Sequence, residues 1–178
     1  MNTPTKAITI RDPWAQAIIH GPKRVENRGQ RLRKMLGERV AVHVSKTVDT
    51  EAWYQLDENR YFPGDLPKYM AAQDFHHPGQ IIGSVRLVGW FENNLGPMFG
   101  EFEMEVLPDT TWWKRVAESM QAGVAHGLDR YAVENNPWFQ GPVGWLLDDV
   151  IEYRPVEARG MPGFWTIDEE IREKLEEI

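Results

Sequence analysis

The chain has 178 residues, of which 42% are apolar and 11% aromatic, with eight tryptophans and no cysteine. This content can bury one sizeable core, so we expect a single domain over residues 1–178, and the lack of cysteine excludes disulfides, thiolate metal sites and thiol redox chemistry. Because the sequence has no long apolar run, we expect no signal peptide and no membrane segment, and a cytoplasmic monomer.

The net charge of −7 is unevenly distributed along the chain. Residues 1–46 contain ten Lys or Arg and three Asp or Glu, which gives +7, whereas residues 47–178 contain ten and twenty-four, which gives −14. A basic first quarter is compatible with an anionic partner such as nucleic acid. Solvated surfaces also vary in sign without any function, so both interpretations stay open.

The first predicted elements are a short strand at residues 7–10 and a helix that begins at Asp12-Pro13-Trp14. Asp12 is a candidate N-cap that accepts hydrogen bonds from helix amides, and proline is favoured at the first helical position. Gly21 then ends the helix. His20, near this end, is expected to complement the helix dipole.

Three charged side chains follow Gly21 in the block GPKRVENR. Residues 24–28 are predicted to be extended, with a basic loop after them. Side chains alternate along a strand, so Glu26 and Arg28 should share a face, while Lys23 should lie in the turn before it. Such groups suit anion binding, recognition of a base edge or acid–base chemistry, but they are also common as surface ion pairs.

A second candidate set follows on the next predicted strand, where Val40, Val42 and Val44 alternate. We expect the valines on the core face and His43 and Ser45 together on the opposite face, with Lys46 at the end of the strand. The polar residues could be a catalytic set, or simply the solvated side of a strand.

The middle of the chain predicts a helix from near Thr50 within residues 47–58, then an irregular, Pro- and Gly-rich insertion at residues 59–80. Residues 81–91 and 99–107 predict an antiparallel hairpin.

The remaining predicted elements are helices at 110–122 and 128–134 and strands at 143–150 and 160–167. A capping box, Thr166-x-x-Glu169, predicts a C-terminal helix over about 167–178. Five or six short strands without βαβ alternation predict an α+β fold, built on a mixed small β-barrel with flanking helices.

Tryptophans beside glycines and prolines are candidate stacking platforms for an unpaired base. Trp14 at a helix start and Trp138 in a loop could line a cleft, whereas Trp145 and Trp165 lie in strands and are more typical of core packing.

The histidines do not form a zinc pattern, so we expect no structural metal. His76 and His77 are adjacent and would point apart, and no cysteine or spaced carboxylate completes a set. A loosely held Mg²⁺ or Mn²⁺, bound through water and Glu26, stays compatible with the sequence.

Six motifs occur in the order TIRDPWA, GPKRVENR, HVSK, IIGSVRLV, PWFQGPVGWLL and RGMPGFW. Together they resemble the ASCH domain family of the PUA-like superfamily, and GPKRVENR fits the pattern GxKxxExR. The resemblance implies a PUA-like β-barrel with a cleft between barrel and helices. It also implies a partner such as RNA, single-stranded nucleic acid or a nucleoside derivative.

By that resemblance the cleft residues are Lys23, Glu26, Arg28, His43, Ser45 and Lys46. We take Lys23, Glu26, His43 and Ser45 as catalytic candidates. The nucleotide-binding candidates are Arg11, Trp14, Lys23, Arg28, Lys46 and Trp138.

The resemblance leaves open whether the cleft binds or also cleaves. Some relatives hydrolyse the amide of N4-acetylcytidine and others resemble metal-dependent ribonucleases, so a hydrolase is the alternative to a binding protein. Lys23 matches the lysine of the amidohydrolase pattern, but Glu26 stands where that pattern has threonine. A protein-interaction adaptor is the third hypothesis.

Overall fold

A computed structural model describes residues 3–52, 76–94, 101–112, 114 and 138–178. The strands are β1 (Lys6–Asp12), β2 (Val25–Arg28), β3 (Arg39–Val48), β4 (Gln80–Asn94), β5 (Glu101–Val106), β6 (Val143–Glu157) and β7 (Phe164–Thr166), and the helices are α1 (Trp14–Ile19) and α2 (Glu169–Arg172). Residues 50–52 are helical, as predicted. The rest of that helix, most of the predicted insertion and nearly all of the helices predicted at 110–122 and 128–134 lie outside the described residues.

The mixed α+β composition is confirmed. Over the described residues the seven strands form one sheet with the hydrogen-bonded order β2-β6-β4-β3-β1-β7, and β5 pairs with β4. Because this order ends at β2 and β7, the sheet is open in the described part of the chain, and a closed barrel is not observed. No helix in that part is long and apolar enough to cross a bilayer.

The chain groups into two compact units. Unit 1 comprises Met1–Lys23, Arg39–Val85 and Asp149–Ile178, and unit 2 comprises Arg24–Glu38 and Arg86–Asp148. The prediction of a single domain rests on the length of the chain. Length alone does not indicate whether a chain groups into one compact unit or two.

In unit 1, β1 lies between a parallel and an antiparallel neighbour. Ile8 is opposite Val42 of β3, and Ala7 is opposite Trp165 of β7. Residues 40–44 of β3 are all buried. The prediction that His43 lies on an open polar face is therefore wrong, because β3 is covered on both faces, as is usual for parallel pairing.

Helix α1 packs against β1 and β3. Its N-cap is Pro13, and no side chain caps it. The predicted Asp12 cap is wrong, because the Asp12 carboxylate instead contacts His76 Nδ1 at 2.8 Å. His20 is the C-cap, and its Nδ1 lies 3.4 Å from Glu152. Burial lowers the pKa of His20, which disfavours the charged form that the helix dipole would need.

The C-terminal segment packs on a cluster of buried residues in unit 1. This cluster contains Ala7, Ala41, Ile81, Tyr153, Trp165 and Ile167, with Ile171 and Leu175 packed against it. The predicted capping box is wrong, since Asp168 is the N-cap and makes no side-chain cap bond. Thr166 lies in β7, where its hydroxyl accepts a hydrogen bond from Lys6 at 3.4 Å.

In unit 2 the paired part of β4, residues 89–94, and β5 confirm the predicted antiparallel hairpin, with Trp90 opposite Glu105. The Trp90 indole donates to Glu105 at 3.0 Å. Strand β2 pairs antiparallel with β6, and Glu26 is opposite Trp145.

Candidate functional site

Lys23 and Trp14 form the centre of the candidate site in unit 1. The Lys23 backbone amide donates to the Ala17 carbonyl at 3.0 Å, which turns the chain back beside α1. The Lys23 side chain is buried, with 1% exposure, and its Nζ lies 5.9 Å from the centroid of the Trp14 ring. Lys23 lies between α1 and β2, so its predicted place outside a strand is confirmed. A lysine is rarely this buried, and its charge acts more strongly where water is excluded.

Asp49 fixes the orientation of the Trp14 ring. The indole Nε1–H donates to Asp49 Oδ2 at 3.2 Å, and Asp49 Oδ1 accepts from the Ala52 amide at 3.1 Å. The Trp14 side chain is half-buried. Sequence reasoning missed Asp49, although an acidic residue directly before a predicted helix at Thr50 is a recognisable N-cap signal.

His43 is buried in unit 1 and opposes Thr9 of β1. Its Nε2–H donates to the Ala158 carbonyl at 3.1 Å, and its ring meets the Trp165 ring edge-on at 5.7 Å between centroids. A Cβ built on Gly160 would lie 2.5 Å from His43 Nδ1, so the backbone there rests on the imidazole. Burial lowers the pKa of His43, which therefore stays neutral at pH 7.

Residues 158–163 (the 158–163 segment) are held to the rest of unit 1 by three hydrogen bonds. The Ala158 amide donates to the Gly79 carbonyl at 3.0 Å, and the Ala158 carbonyl accepts from His43. Thr9 Oγ1 donates to the Met161 carbonyl at 2.9 Å and accepts from the Trp165 indole at 3.1 Å. The segment therefore covers the side of β1 and β3 that carries Thr9 and His43.

The other predicted residues of unit 1 lie nearer the surface. Ser45 Oγ accepts from the Thr47 amide at 3.0 Å. Lys46 is exposed, and its Cε would lie 2.7 Å from a Cβ built on Gly79. Arg11 is exposed on β1. His43 and Ser45 thus each have a backbone partner, and no hydrogen bond between the two is seen in the described residues.

Glu26 and Arg28 belong to unit 2, and their predicted common face is confirmed. Arg28 Nη2 lies 3.1 Å from Glu26 Oε1, and the guanidinium carbon lies 5.4 Å from the centroid of the Trp145 ring. The carboxylate is thus already neutralised by a cation that would repel a metal ion. These residues do not fit the divalent ion considered for Glu26, and the described residues contain no group of three metal-ligating side chains.

Trp138 in unit 2 is 7% exposed, so little of its ring is available for stacking. Asn27 holds the chain at this point, because its Nδ2 donates to the Trp138 carbonyl at 2.8 Å and its Oδ1 accepts from the Gln140 amide at 2.9 Å. Trp145 and Trp165 are buried, which confirms their assignment to packing.

Comparisons with known proteins place ASCH structures among those similar to this chain. The ASCH protein from Zymomonas mobilis is 15% identical, with a TM-score of 0.44, over 97% of this chain and 94% of that chain. A serine-to-alanine variant of it is 15% identical, with a TM-score of 0.43, over 98% and 96% of the two chains. For a tyrosine-to-phenylalanine variant the identity is 16% and the TM-score 0.43, over 95% and 94%. No family model matches the sequence, and no curated protein matches it.

Proposed function

We propose that this chain is a nucleic-acid-binding protein of the ASCH type, which holds one nucleotide of an RNA or other single strand in unit 1. The observation that carries the proposal is the buried Lys23 ammonium beside the half-buried Trp14 indole. The half-buried aromatic face suits a splayed-out base, and the buried ammonium beside it adds a positive potential that attracts a phosphate or a base carbonyl. The resemblance of the sequence motifs to ASCH domains supports the same class of ligand.

The surroundings of Trp14 support a binding role. The hydrogen bond from its indole to Asp49 holds the ring in one orientation before a ligand arrives. A fixed ring loses little conformational entropy on binding, and base–aromatic stacking contributes about 1–3 kcal/mol per base.

Hydrolysis is less well supported than binding by the described contacts. A Ser–His pair would need the imidazole to accept the serine proton. In unit 1 the imidazole donates from Nε2 to Ala158, and the accepting nitrogen, Nδ1, is buried beneath Gly160 with no hydrogen bond to Ser45, whose hydroxyl accepts from Thr47. No contact among the described residues supports the hypothesis that the protein is a protein-interaction adaptor.

The test of the binding proposal is the substitution Lys23→Met, which removes the charge and keeps most of the apolar stem. Affinity is measured by calorimetry for an equimolar mixture of the four nucleoside monophosphates. We expect a loss of roughly tenfold or more, since a charge-assisted contact contributes about 1.5–3 kcal/mol. Lys34→Met is the matched control, because Lys34 is an exposed lysine of unit 2.

Circular dichroism should give the same spectrum for both variants and the wild type. Binding by Lys23→Met equal to that of the wild type, or no nucleotide binding by the wild type at millimolar concentration, would contradict the proposal.

A further inference from the structure

Among the residues that the structure describes, three exposed cations of unit 1 have no acidic partner. Arg11, Lys46 and Arg159 are exposed, and none of them makes an ion pair or a side-chain hydrogen bond within the described residues. By contrast, Arg154 and Arg172 of the same unit pair with Glu176 and Glu169. Cations of this kind are available to an anionic ligand.

The backbone next to Arg159 and the side chain of Lys46 both lie at Gly79. The Ala158 amide, one residue before Arg159, donates to the Gly79 carbonyl at 3.0 Å. The Lys46 side chain lies over the same glycine, where its Cε would be 2.7 Å from a built Cβ. Gly160, one residue after Arg159, rests on the His43 ring. The backbone that carries Arg159 is thus fixed on both sides.

Arg11 joins these two cations through the strand register. Ile10 pairs with Val44 and Asp12 with Val48, so the three residues 45–47 of β3, which include Lys46, lie opposite Arg11 alone. Arg11 also follows Thr9 by two residues and shares its side of β1. The Thr9 hydroxyl donates to Met161, two residues after Arg159, so the same side of β1 meets the 158–163 segment.

This arrangement matches the chemistry of a phosphodiester. A guanidinium offers a planar fork for phosphate oxygens, and an ammonium adds a point charge. A free nucleoside has no phosphate to place there, and a mononucleotide whose single phosphate lies beside Lys23 has none left for these cations. A strand supplies further phosphates.

We propose that Arg159, together with Arg11 and Lys46, binds a second phosphate of the ligand, so that the protein selects a single strand over a free nucleoside or mononucleotide. This inference rests on the proposed function and adds to it a preference for the strand over a mononucleotide, together with one residue, Arg159, that the sequence-based candidates did not include.

The test compares Arg159→Gln with the matched control Arg154→Gln, an exposed arginine of the same unit that has an acidic partner. Affinity is measured for a random-sequence single-stranded RNA hexamer and for the mixture of nucleoside monophosphates, each over a series of salt concentrations. Thermal unfolding of both variants should match the wild type, because both side chains are exposed.

We expect Arg159→Gln to bind the hexamer about five- to tenfold more weakly, and to lower the slope of log affinity against log salt by about one. Its affinity for the monophosphates should stay unchanged, and Arg154→Gln should change neither quantity.

Three results would overturn the inference: wild-type hexamer affinity and slope in Arg159→Gln, equal losses in both variants, or a wild type that binds the hexamer no better than the monophosphates. In the last case the monophosphates still bind, so the proposed function survives. Absence of binding to either ligand removes both proposals.

Discussion

At the scale of single residues, the sequence predicted local relations and missed distant ones. The common face of Glu26 and Arg28 follows from alternation over two residues, and the ion pair between them agrees with it. The burial of His43 depends on Ala158, which lies 115 positions further along the chain. Alternation within β3 carries no information about a segment so distant.

His43 gives a pH prediction with a definite sign. Burial holds its pKa below the unfolded value of about 6.5, so below that pH the unfolded chain takes up the proton more readily. Its contribution to stability is therefore present above about pH 6.5 and is lost as the pH falls through the lower folded value.

We expect the free energy of unfolding to fall less steeply between about pH 7.5 and pH 5 in His43→Gln than in the wild type. Urea denaturation at several pH values measures this, and His20 stays in both proteins. Parallel pH curves would show that His43 does not titrate as the burial implies.

At the scale of elements, the presence of strands was predictable, but some strand ends and the helix caps were not. The strand predicted at 160–167 is formed only at Phe164–Thr166, and the one predicted at 143–150 extends to Glu157. The hairpin of β4 and β5 and the strand β2 follow from alternation and from the glycines and prolines between them. Both predicted caps failed because the capping side chains found partners elsewhere, Asp12 with His76 and Thr166 with Lys6. A cap is a choice among hydrogen-bond partners, and only the folded chain shows which partners are near.

The free energy of unfolding should be sensitive to a side chain as small as a methyl group at Gly144 of β6. A Cβ built there would lie 2.5 Å from two ring carbons of Phe91 and 3.0 Å from Val25 Cγ1, all within unit 2. Phe91 is fully buried, so a shift of its ring would disturb its packed neighbours. We expect Gly144→Ala to lower the free energy of unfolding by about 1–3 kcal/mol.

The matched control is Gly29→Ala, where nothing lies within 4 Å of a built Cβ. This change should stay within about 0.5 kcal/mol of the wild type in urea denaturation. A neutral Gly144→Ala would mean that the Phe91 ring has room to shift.

At the scale of the whole molecule, the composition of the chain predicted little. It showed where the basic residues lie in the sequence, but not which of them come close in the fold or how the chain divides into units. The basic first quarter was visible in the sequence, but nothing there indicated that the backbone next to Arg159 bonds to Gly79, over which the Lys46 side chain lies. The grouping into two units could not be predicted, because β4 and β6 each contribute residues to both. A hydrophobic pattern marks such a strand as one element and gives no sign of where one unit ends.

Strand β7 pairs with one edge of β1 and so keeps that edge from being exposed. The first strand therefore depends on the C-terminal part of the chain for its backbone hydrogen bonds. Thr5 accepts from the Ile167 amide at 3.0 Å, and Ala7 is opposite Trp165. Deleting residues 164–178 would leave one side of β1 with unsatisfied amides and carbonyls and would uncover Ala7 and its buried neighbours.

An open strand edge of this kind is a template for pairing with other copies. We therefore expect the shortened chain to aggregate in light scattering, whereas deletion of residues 174–178, which keeps β7 and α2, should leave a soluble protein. A soluble, folded chain that ends before Phe164 would show that β1 is shielded by other means. For the same reason, tags or fusions at the C-terminal end should leave residues 164–167 in place. Displacing β7 would expose the edge of β1 to pairing with other copies.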